Sequence, residues 1–416
     1  MTVFSPLLES LGTPNFGTAP SGPLPPVSAG TVGTCILSKP VRVVHMTSVH
    51  NARDPRIFQR ECRALVQAGY DVTYIGPHSE DAVMDQVRIK SISRERTRFA
   101  RMTRIPWHIY LESLKQDADI YHFHDPELIP VGLLLRAHGK DVIYDLHEDY
   151  PKDILGKKYL PAWSRPKIAW LMRQVERASC IHFSALVTAT PPIAERFRKT
   201  NSRTVVVHNY PCPNEVFPES SCISWETRKQ AVAYVGGISG QRGIREMIAA
   251  IGSLPPSLAA SLELAGPAPV HLHLEELYRF PGWERVHYHG LLDQPGIFRL
   301  LRNVRAGLVV LHPDPGYLES LPLKMFEYMA AGIPVIASDF PLWRRIIEGA
   351  GCGILVDPLD PSAIARAMEY VLKHATEAEA MGRRGRDAVQ ELYNWSTEAE
   401  KLLNLYHGLA NPGCAS

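Results

Sequence analysis

The side chains best suited to chemistry lie in one short segment, between Glu319 and Gly332. Pro322 can start a helix there, and Gly332 can end it. Lys324 and Glu327 are three residues apart, so they share one face of that helix. The N–H groups at a helix N-terminus attract anions, a lysine beside them adds charge toward a phosphate, and a carboxylate can accept both hydroxyls of a ribose. The alternative is an amphipathic helix with a solvated Lys–Glu pair.

A glycine-rich loop supplies a second candidate site for a phosphate. The predicted strand from Ala231 to Val235 ends in Gly236 and Gly237, and Arg242 follows a few residues later. Glycine has no side chain to hold the backbone away from a ligand, and Arg242 would add positive charge. We therefore expect this loop to contact an anion.

Two histidines lie at the end of another predicted strand, from Asp119 to Phe123. His122 is interpreted as structural, because a histidine within a strand is more often a packed core residue. His124 follows the strand, where ligands bind in open parallel sheets, and a functional role is favoured for it. Asp125 and Pro126 are suited to cap and start the next helix.

Two further polar segments follow strand ends. Residues 144–151 could shape acceptor binding or form a capped loop, and the sequence favours neither. In residues 46–58, Asp54 and Arg56 could orient acceptor hydroxyls. A helix cap for Asp54 and a salt bridge for Arg56 are slightly favoured instead.

The elements that must position these side chains alternate between strand and helix. Predicted strands cover residues 41–46, 72–75, 119–123, 142–146, 187–189, 204–207, 231–235, 262–264, 286–289, 306–311, 334–337 and 353–356, and predicted helices cover 57–68, 128–137, 244–251, 322–331 and a segment from Pro361. This alternation predicts an α/β protein with two doubly wound, Rossmann-like domains. Two such sheets facing each other would form one interdomain cleft, because ligands bind beyond the carboxyl ends of parallel strands.

Composition indicates where these domains begin and end. Residues 1–40 are rich in Pro, Gly, Ser and Thr and are predicted to be a disordered arm. The first domain is predicted at 41–212, a linker at 213–227, the second domain at 228–394 and a last helix at 395–409.

Charge, cysteine content and hydropathy limit the partners, metal sites and location expected for this protein. The 416 residues carry a formal net charge of +2, so no nucleic-acid partner is expected. Seven cysteines without a C-x-x-C pair predict a reducing compartment, with neither a disulfide framework nor a zinc site. No run of 18 apolar residues and no signal peptide are found, so the expected location is cytoplasmic.

Several of these segments resemble one family. Residues 316–332 resemble the E-x7-E signature of the family-four retaining glycosyltransferases, with Glu319 and Glu327 as its two glutamates. Residues 121–127 are similar to the family's H-x-H-[E/D]-P motif, and residues 46–58 to the acceptor loop of its bacterial exopolysaccharide and lipopolysaccharide enzymes. The resemblance implies the GT-B fold, with an acceptor domain, a nucleotide-sugar domain and a last helix that crosses back onto the first domain.

The resemblance also implies roles for single residues. Glu327 would bind the ribose of the donor nucleotide, while Glu319 and His124 would contact the transferred sugar. Most relatives have an arginine where this chain has Gly237, after Gly236, and a lysine where it has Arg242. Arg242 is therefore expected to clamp the diphosphate, and Lys324 to compensate for the missing arginine.

These roles imply a hexosyltransferase that uses a nucleotide diphosphate sugar. We expect a front-face displacement that retains the anomeric configuration, with His124, Glu319, Arg242 and Lys324 as catalytic residues. No D-x-D motif lies where it would hold a metal between phosphates, so neither a metal nor another cofactor is expected. The alternatives are a sugar-nucleotide 2-epimerase of the same fold and a non-catalytic partner subunit.

A basic segment indicates a further partner. Five arginines precede the aromatic stretch 105–110, namely Arg94, Arg96, Arg98, Arg101 and Arg104. Arginines beside aromatic residues suit an anionic lipid surface, and a solvated basic loop is the equal alternative. Because relatives often use polyprenyl-linked acceptors, peripheral attachment to the inner face of the cytoplasmic membrane is favoured.

Overall fold

The structure, a computed structural model, describes residues 40–93, 98–157, 160–212, 224–268 and 274–411. It contains two separate sheets, of eight and six strands, with helices between most successive strands. The predicted α/β class with two doubly wound domains is therefore confirmed. Most of the predicted arm and of the predicted linker lie outside the described residues.

The first sheet has the strand order β3-β4-β2-β1-β5-β6-β7-β8, and β3 and β4 are its antiparallel pair. Its strands are β1 (Arg42–Met46), β2 (Asp71–Pro77), β3 (Ala82–Met84), β4 (Val87–Ile92), β5 (Ile120–Phe123), β6 (Asp141–Leu146), β7 (Ala185–Thr188) and β8 (Thr204–Val206). The chain moves outward from β1 to β4 and then returns to β5 on the other side of β1. This reversal leaves a crevice between the ends of β1 and β5, where ligands bind in such sheets.

The second sheet is parallel throughout, in the order β11-β10-β9-β12-β13-β14. Its strands are β9 (Ala231–Val235), β10 (Ser261–Ala265), β11 (Val286–Tyr288), β12 (Ala306–Val309), β13 (Val335–Ser338) and β14 (Gly353–Val356). The strand order reverses between β9 and β12, so the loops after these two strands form the second crevice.

The helices connect these strands. In the first domain they are α1 (Arg63–Gln67), preceded by a π-helical segment (Ile57–Cys62), α2 (Arg98–Gln116), α3 (Ile129–Ala137), α4 (Tyr150–Gly156), α5 (Arg165–Cys180) and α6 (Pro191–Phe197). In the second they are α7 (Ile244–Ser253), α8 (Leu274–Tyr278), α9 (Gln294–Arg302), α10 (Pro315–Leu318), α11 (Leu323–Ala330), α12 (Pro341–Ala350), α13 (Pro361–Lys373) and α14 (Ala375–Glu391), followed by α15 (Trp395–Ala410). No helix among the described residues is long and apolar enough to cross a membrane.

Alternation along the strands builds the core on both faces of the first sheet. Val44 of β1 belongs to the apolar cluster on one face, and Val43 belongs to the cluster on the other. Helix α15 contributes Leu402 and Tyr406 to the Val43 cluster. The last helix of the chain therefore packs on the first domain, beneath the crevice at β1 and β5.

Two elements differ from the sequence prediction. The hairpin of β3 and β4 was not predicted, because its turn uses Asp85 and Gln86 at positive φ rather than glycine. The basic segment is helical from Arg98 onward, so the solvated-loop interpretation is wrong for that part. Arg94 and Arg96 lie outside the described residues.

Candidate active site

The loops at both crevices face one cleft of about 560 Å³, a volume typical of small-molecule sites. Side chains that line it include His50, Asp54, His147 and Lys152 from the first domain and Arg242, Glu319 and Lys324 from the second. Three of the predicted site residues, Arg242, Glu319 and Lys324, therefore meet in this cleft.

The loop after β9 needs glycine at specific points. Gly236 has φ 144°, and a Cβ atom there would lie 2.5 Å from Nζ of Lys324. A Cβ atom on Gly243 would lie 2.0 Å from the carbonyl oxygen of Val310. A Cβ atom on Gly237 would meet the Arg242 guanidinium at 3.7 Å, so Arg242 occupies the space beside Gly237. The loop therefore brings one cation, from Arg242, close to its bare backbone.

Lys324, on the first turn of α11, provides a second positive charge. Its Nζ lies 4.0 Å from the centre of the Tyr234 ring, is buried, and has no hydrogen-bond partner among the described residues. Burial and the nearby Arg242 charge together lower the pKa of Lys324 to about 7, against a smaller opposing effect of Glu327. A buried and unpaired ammonium group beside a guanidinium is electrostatically incomplete, and an anionic ligand would complete it.

The two signature glutamates have different surroundings. Glu327 is half-buried on α11, and burial raises its pKa, although Arg60 and Gln294 stabilise the charged form. Glu319 is more open, with 41 % of its side chain exposed, and forms an ion pair with Lys152 of α4 across the cleft. Glu319 therefore faces the cleft, whereas Glu327 is held from behind by residues of both domains.

His124 is fully buried at the end of β5 and does not line the cleft. Its Nδ1 lies 3.1 Å from Nε2 of His147, which does line the cleft, and 3.3 Å from Asp145. Burial lowers the pKa of His124 to about 4, so its imidazole is neutral at pH 7. The polar segment after β6 is thus part of the cleft wall, and His147 contacts both His124 and the open space.

The segment after β1 has the structural roles favoured from its sequence. Asp54 accepts hydrogen bonds from the backbone N–H groups of Arg56 and Ile57, at 2.9 Å each, and its other oxygen lies 2.8 Å from Nδ1 of His50. Arg56 donates two hydrogen bonds of 3.0 Å to Asp145. Asp54 also lines the cleft, together with His50, so the helix cap does not prevent contact with a ligand.

Asp125 does not cap a helix, contrary to the sequence prediction. Its carboxylate accepts hydrogen bonds from the Thr47 hydroxyl (2.6 Å) and from the backbone N–H of Ser48 (2.7 Å). These bonds join the loops after β1 and β5, because the two strands are neighbours in the sheet. Asp125 therefore stabilises the crevice itself.

Four residues of the cleft region were missed by sequence reasoning: His50, Lys152, Arg60 and Gln294. Lys152 and Arg60 belong to the first domain but act on the glutamates of the second. Spacing along the chain gives no signal for such contacts, since they form only when the two domains face each other.

Two family models match the chain. Residues 56–210 match the model described as "Glycosyltransferase Family 4", and residues 229–374 match the one described as "Glycosyl transferases group 1". The two matches fall on the two sheets.

Two curated relatives match over more than two thirds of their length. An uncharacterized glycosyltransferase of Methanocaldococcus jannaschii is 24 % identical over 69 % of this chain and 75 % of its own. The D-rhamnosyltransferase WbpZ of Pseudomonas aeruginosa is 22 % identical over 67 % of this chain and 71 % of its own.

Solved structures share the fold. A sucrose-phosphate synthase from Thermosynechococcus elongatus superposes with a TM-score of 0.73 at 19 % identity, covering 90 % of this chain and all of the other. Anabaena HepE, solved in complex with UDP and glucose, superposes with a TM-score of 0.67 at 13 % identity, covering 88 % of this chain and all of its own.

Proposed function

The chain belongs to glycosyltransferase family 4 with the GT-B fold, and from this premise we propose a retaining transfer of a sugar from a nucleotide diphosphate sugar to a glycan or lipid-linked acceptor. The observation that carries the donor assignment is the pair of cations in the cleft. The Lys324 ammonium is buried without a hydrogen-bond partner, and the Arg242 charge lies close enough to lower its pKa. The presence of UDP and glucose in HepE supports the same class of donor.

The proposed donor pose follows from the charges. The diphosphate lies against the Gly236–Gly237 backbone, where Arg242 and Lys324 neutralise it. The ribose hydroxyls donate to Glu327, whose charged form Arg60 and Gln294 favour against the effect of burial. The sugar lies toward Glu319, and its hydroxyl groups compete with Lys152 for that carboxylate.

The proposed reaction is a front-face displacement. The acceptor oxygen bonds to the anomeric carbon while the bond from that carbon to the diphosphate oxygen breaks, and the acceptor proton passes to the departing diphosphate. Arg242 and Lys324 stabilise the charge that develops on this leaving group, which is electrostatic catalysis without a metal between the phosphates. Among the described residues, the two groups with metal-ligand spacing consist of side chains of the first domain and include neither cation.

His124 acts on the sugar site through His147 in this proposal. The His147 imidazole lines the cleft, and His124 contacts it from the buried side. His50, paired with Asp54, lines the same wall. We assign the binding of acceptor hydroxyls to this wall, because the donor cations lie on the opposite one.

A surface next to the acceptor wall supports attachment to an anionic membrane. We call the exposed side of α5 and the preceding turn the α5 face. Its most exposed apolar side chains are Trp163 (73 %), Trp170 (62 %) and Leu171 (56 %), and Ile168 and Val175 lie beside them. Its positively charged residues are Lys167, Arg173 and Arg177. Exposed tryptophans flanked by cations are typical of helices that lie in a membrane interface.

Charge on the α5 face favours anionic lipid. Between residues 160 and 182 the sequence contains one carboxylate, Glu176, which is buried and paired with Arg196. Helix α4 packs against both α5 and α10 and lines the cleft. A lipid-linked acceptor held at this face would therefore reach the acceptor wall over a short distance. On this basis we propose a location on the inner face of the cytoplasmic membrane and a role in surface polysaccharide synthesis. The relative WbpZ, a D-rhamnosyltransferase, supports the transfer of a sugar.

The function is tested with the purified single chain. A panel of nucleoside diphosphates and nucleotide sugars is first screened by thermal shift, because a bound donor stabilises the native state. The stabilising donor is then incubated with and without a polyprenyl-linked glycan extract. Acceptor-dependent release of the nucleoside diphosphate, with an α-configured product from an α-linked donor, supports the proposal.

Other outcomes of the same assay refute it. Release of nucleotide with a C2-epimerised sugar, in the absence of acceptor, would identify a 2-epimerase. No binding and no release with any donor would identify a partner subunit, which Gly237 in place of arginine would then explain.

A further inference from the structure

Beneath the crevice of the first sheet lies a cluster of four buried side chains that donor binding does not use as a group. His45 is on β1, His122 and His124 are on and just after β5, and Glu61 is in the π-helical segment before α1. All four side chains are fully buried. Three imidazoles and one carboxylate are ligands that transition metals prefer in proteins.

The candidate ligand atoms of the four side chains lie within 4.8 Å of one another, and Nδ1 of His122 also lies 2.8 Å from the Tyr406 hydroxyl. Oε2 of Glu61 lies 3.9 Å from Nδ1 of His45, 4.0 Å from Nδ1 of His122 and 4.0 Å from Nε2 of His124. Nδ1 of His45 lies 2.9 Å from Nε2 of His124. In a tetrahedral zinc site with bonds of about 2.0 Å, neighbouring ligand atoms lie about 3.3 Å apart. The observed separations lie on both sides of this value, so shifts of less than about 1 Å would bring the four atoms onto one ion.

The carboxylate of Glu61 has an ion pair with Arg56 but no hydrogen bond within the described part of the chain. Neither of its oxygens has a hydrogen-bond partner among the described residues, although Oε1 lies 3.1 Å from the Nε atom of Arg56. A buried polar group without hydrogen bonds is costly, and a buried charge more so. The π-helical segment turns Glu61 into this interior through wide backbone bonds such as Glu61 N–H to Arg56 O.

We propose that His45, Glu61, His122 and His124 form a closed binding site for a divalent transition metal, best matched by Zn²⁺. Three neutral nitrogens and one carboxylate form a four-coordinate set without an open position, which is the pattern of a structural rather than a catalytic zinc site.

Outer hydrogen bonds already orient two of the ligands. Nδ1 of His124 faces Asp145 at 3.3 Å, so that Nε2 carries the lone pair; without a metal this atom is hydrogen-bonded to Nδ1 of His45 at 2.9 Å, a bond that the ion would replace. Nε2 of His45 lies 3.2 Å from the Tyr406 hydroxyl of α15, which leaves Nδ1 for the metal. Burial lowers the pKa of His45, His122 and His124, so the imidazoles are in the neutral form that binds metals.

The ion would connect parts of the chain that are far apart in sequence. It would join β1, the end of β5 and the π-helical segment directly, and α15 through Tyr406. Through His124 it would also fix the imidazole of His147 in the cleft wall. None of the four side chains lines the cleft with Arg242 and Lys324, so the metal content is measured independently of the donor assignment.

The competing interpretation is a protonated Glu61. Burial raises the pKa of this carboxyl group, and the neighbouring Asp145 raises it further. A neutral Glu61 would need no metal, and Glu61→Gln would then preserve both its shape and its charge. Glu61→Gln therefore distinguishes the two interpretations, because it would disrupt a metal site but would mimic a neutral Glu61.

The test is the metal content of the folded chain after removal of any affinity tag. Protein expressed in zinc-supplemented medium is dialysed, and its metal content is measured by inductively coupled plasma mass spectrometry. Protein expressed in cobalt-supplemented medium is examined by visible absorption spectroscopy. We expect about one zinc per chain and the intense d–d bands of tetrahedral Co²⁺. Glu61→Gln and His122→Gln should lose the metal and lower Tm by at least about 5 °C. The matched control is His289→Gln, a histidine–glutamate pair in the second domain, which should keep the metal.

The wild-type measurement decides the outcome even if a variant fails to fold. Metal below about one tenth of an equivalent, with no rise in Tm on refolding with Zn²⁺, would overturn the proposal in favour of a neutral Glu61. Equal metal in wild type and both cluster variants would do the same.

Discussion

The pKa of Lys324 makes a quantitative prediction about donor binding. In the free protein this pKa is about 7, because the ammonium is buried beside Arg242 and has no hydrogen-bond partner among the described residues. A bound diphosphate brings negative charge to the ammonium and raises its pKa. The nucleoside diphosphate therefore binds the protonated lysine preferentially, and binding takes up a proton.

The sign and size of the pH effect follow from this linkage. A lysine of pKa 7 loses its charge as the pH rises through 7, so donor affinity falls on the alkaline side. We take the pKa of Lys324 in the complex to exceed 9. The dissociation constant of the diphosphate is then proportional to one plus the ratio of neutral to charged Lys324 in the free protein. The affinity therefore falls by about 8-fold between pH 7.5 and 8.5. In this range the second ionisation of the diphosphate is nearly complete and contributes little.

The assay is calorimetry with the nucleoside diphosphate at both pH values. At pH 8, buffers of different ionisation enthalpy should report an uptake of about 0.9 proton per diphosphate. Lys324→Met should bind more weakly, with an affinity that no longer depends on pH in this range. Lys152→Arg is the matched control, because Lys152 faces Glu319 across the same cleft, and it should keep the wild-type slope.

Two results would refute the reasoning. One is an affinity that is equal at pH 7.5 and 8.5 in the wild type. The other is a Lys324→Met variant with the wild-type slope, which would assign the titration to another group.

Three further predictions concern the cleft and the α5 face. Arg242→Ala should slow transfer by roughly 10²-fold or more in steady-state kinetics, as for loss of one preorganised donor, and activity within a few-fold of wild type would mean that the loop is only a turn. Glu327→Gln should chiefly raise the donor KM, by roughly 10- to 150-fold for a charge-assisted hydrogen bond, whereas Glu319→Gln should lower kcat more than it raises KM. Equal weakening of diphosphate binding by both variants in calorimetry would contradict this division. In liposome flotation the wild type should bind anionic vesicles in a salt-sensitive manner, and Trp170→Asp should bind less. The control is Leu392→Asp, a change of an exposed residue in the second domain, which should bind like the wild type. Equal recovery of the wild type on neutral vesicles would exclude the α5 face as a binding surface for anionic lipid.

Local patterns along the chain were sufficient for the fold and for one side of the site. The strand–helix alternation predicted two doubly wound domains, because buried parallel strands and amphipathic helices each leave a periodic record in the sequence. Glu319, Lys324 and Glu327 lie within nine consecutive residues, so one loop and one helix determine their relative positions. The prediction that Arg242 and Lys324 meet needed only the rule that loops after neighbouring strands share one edge of a sheet.

Contacts between distant segments depended on the tertiary structure. Spacing does not reveal that Lys152 pairs with Glu319, or that Asp125 binds the loop after β1 rather than its own helix. Nor does it reveal that His45 and Glu61 face the two histidines of β5. These side chains meet because strand order makes β1 and β5 neighbours and because the two domains face each other. Burial, which sets the pKa of Lys324 and leaves Glu61 without hydrogen bonds, is likewise a property of the packed molecule, since it depends on what surrounds a residue in space.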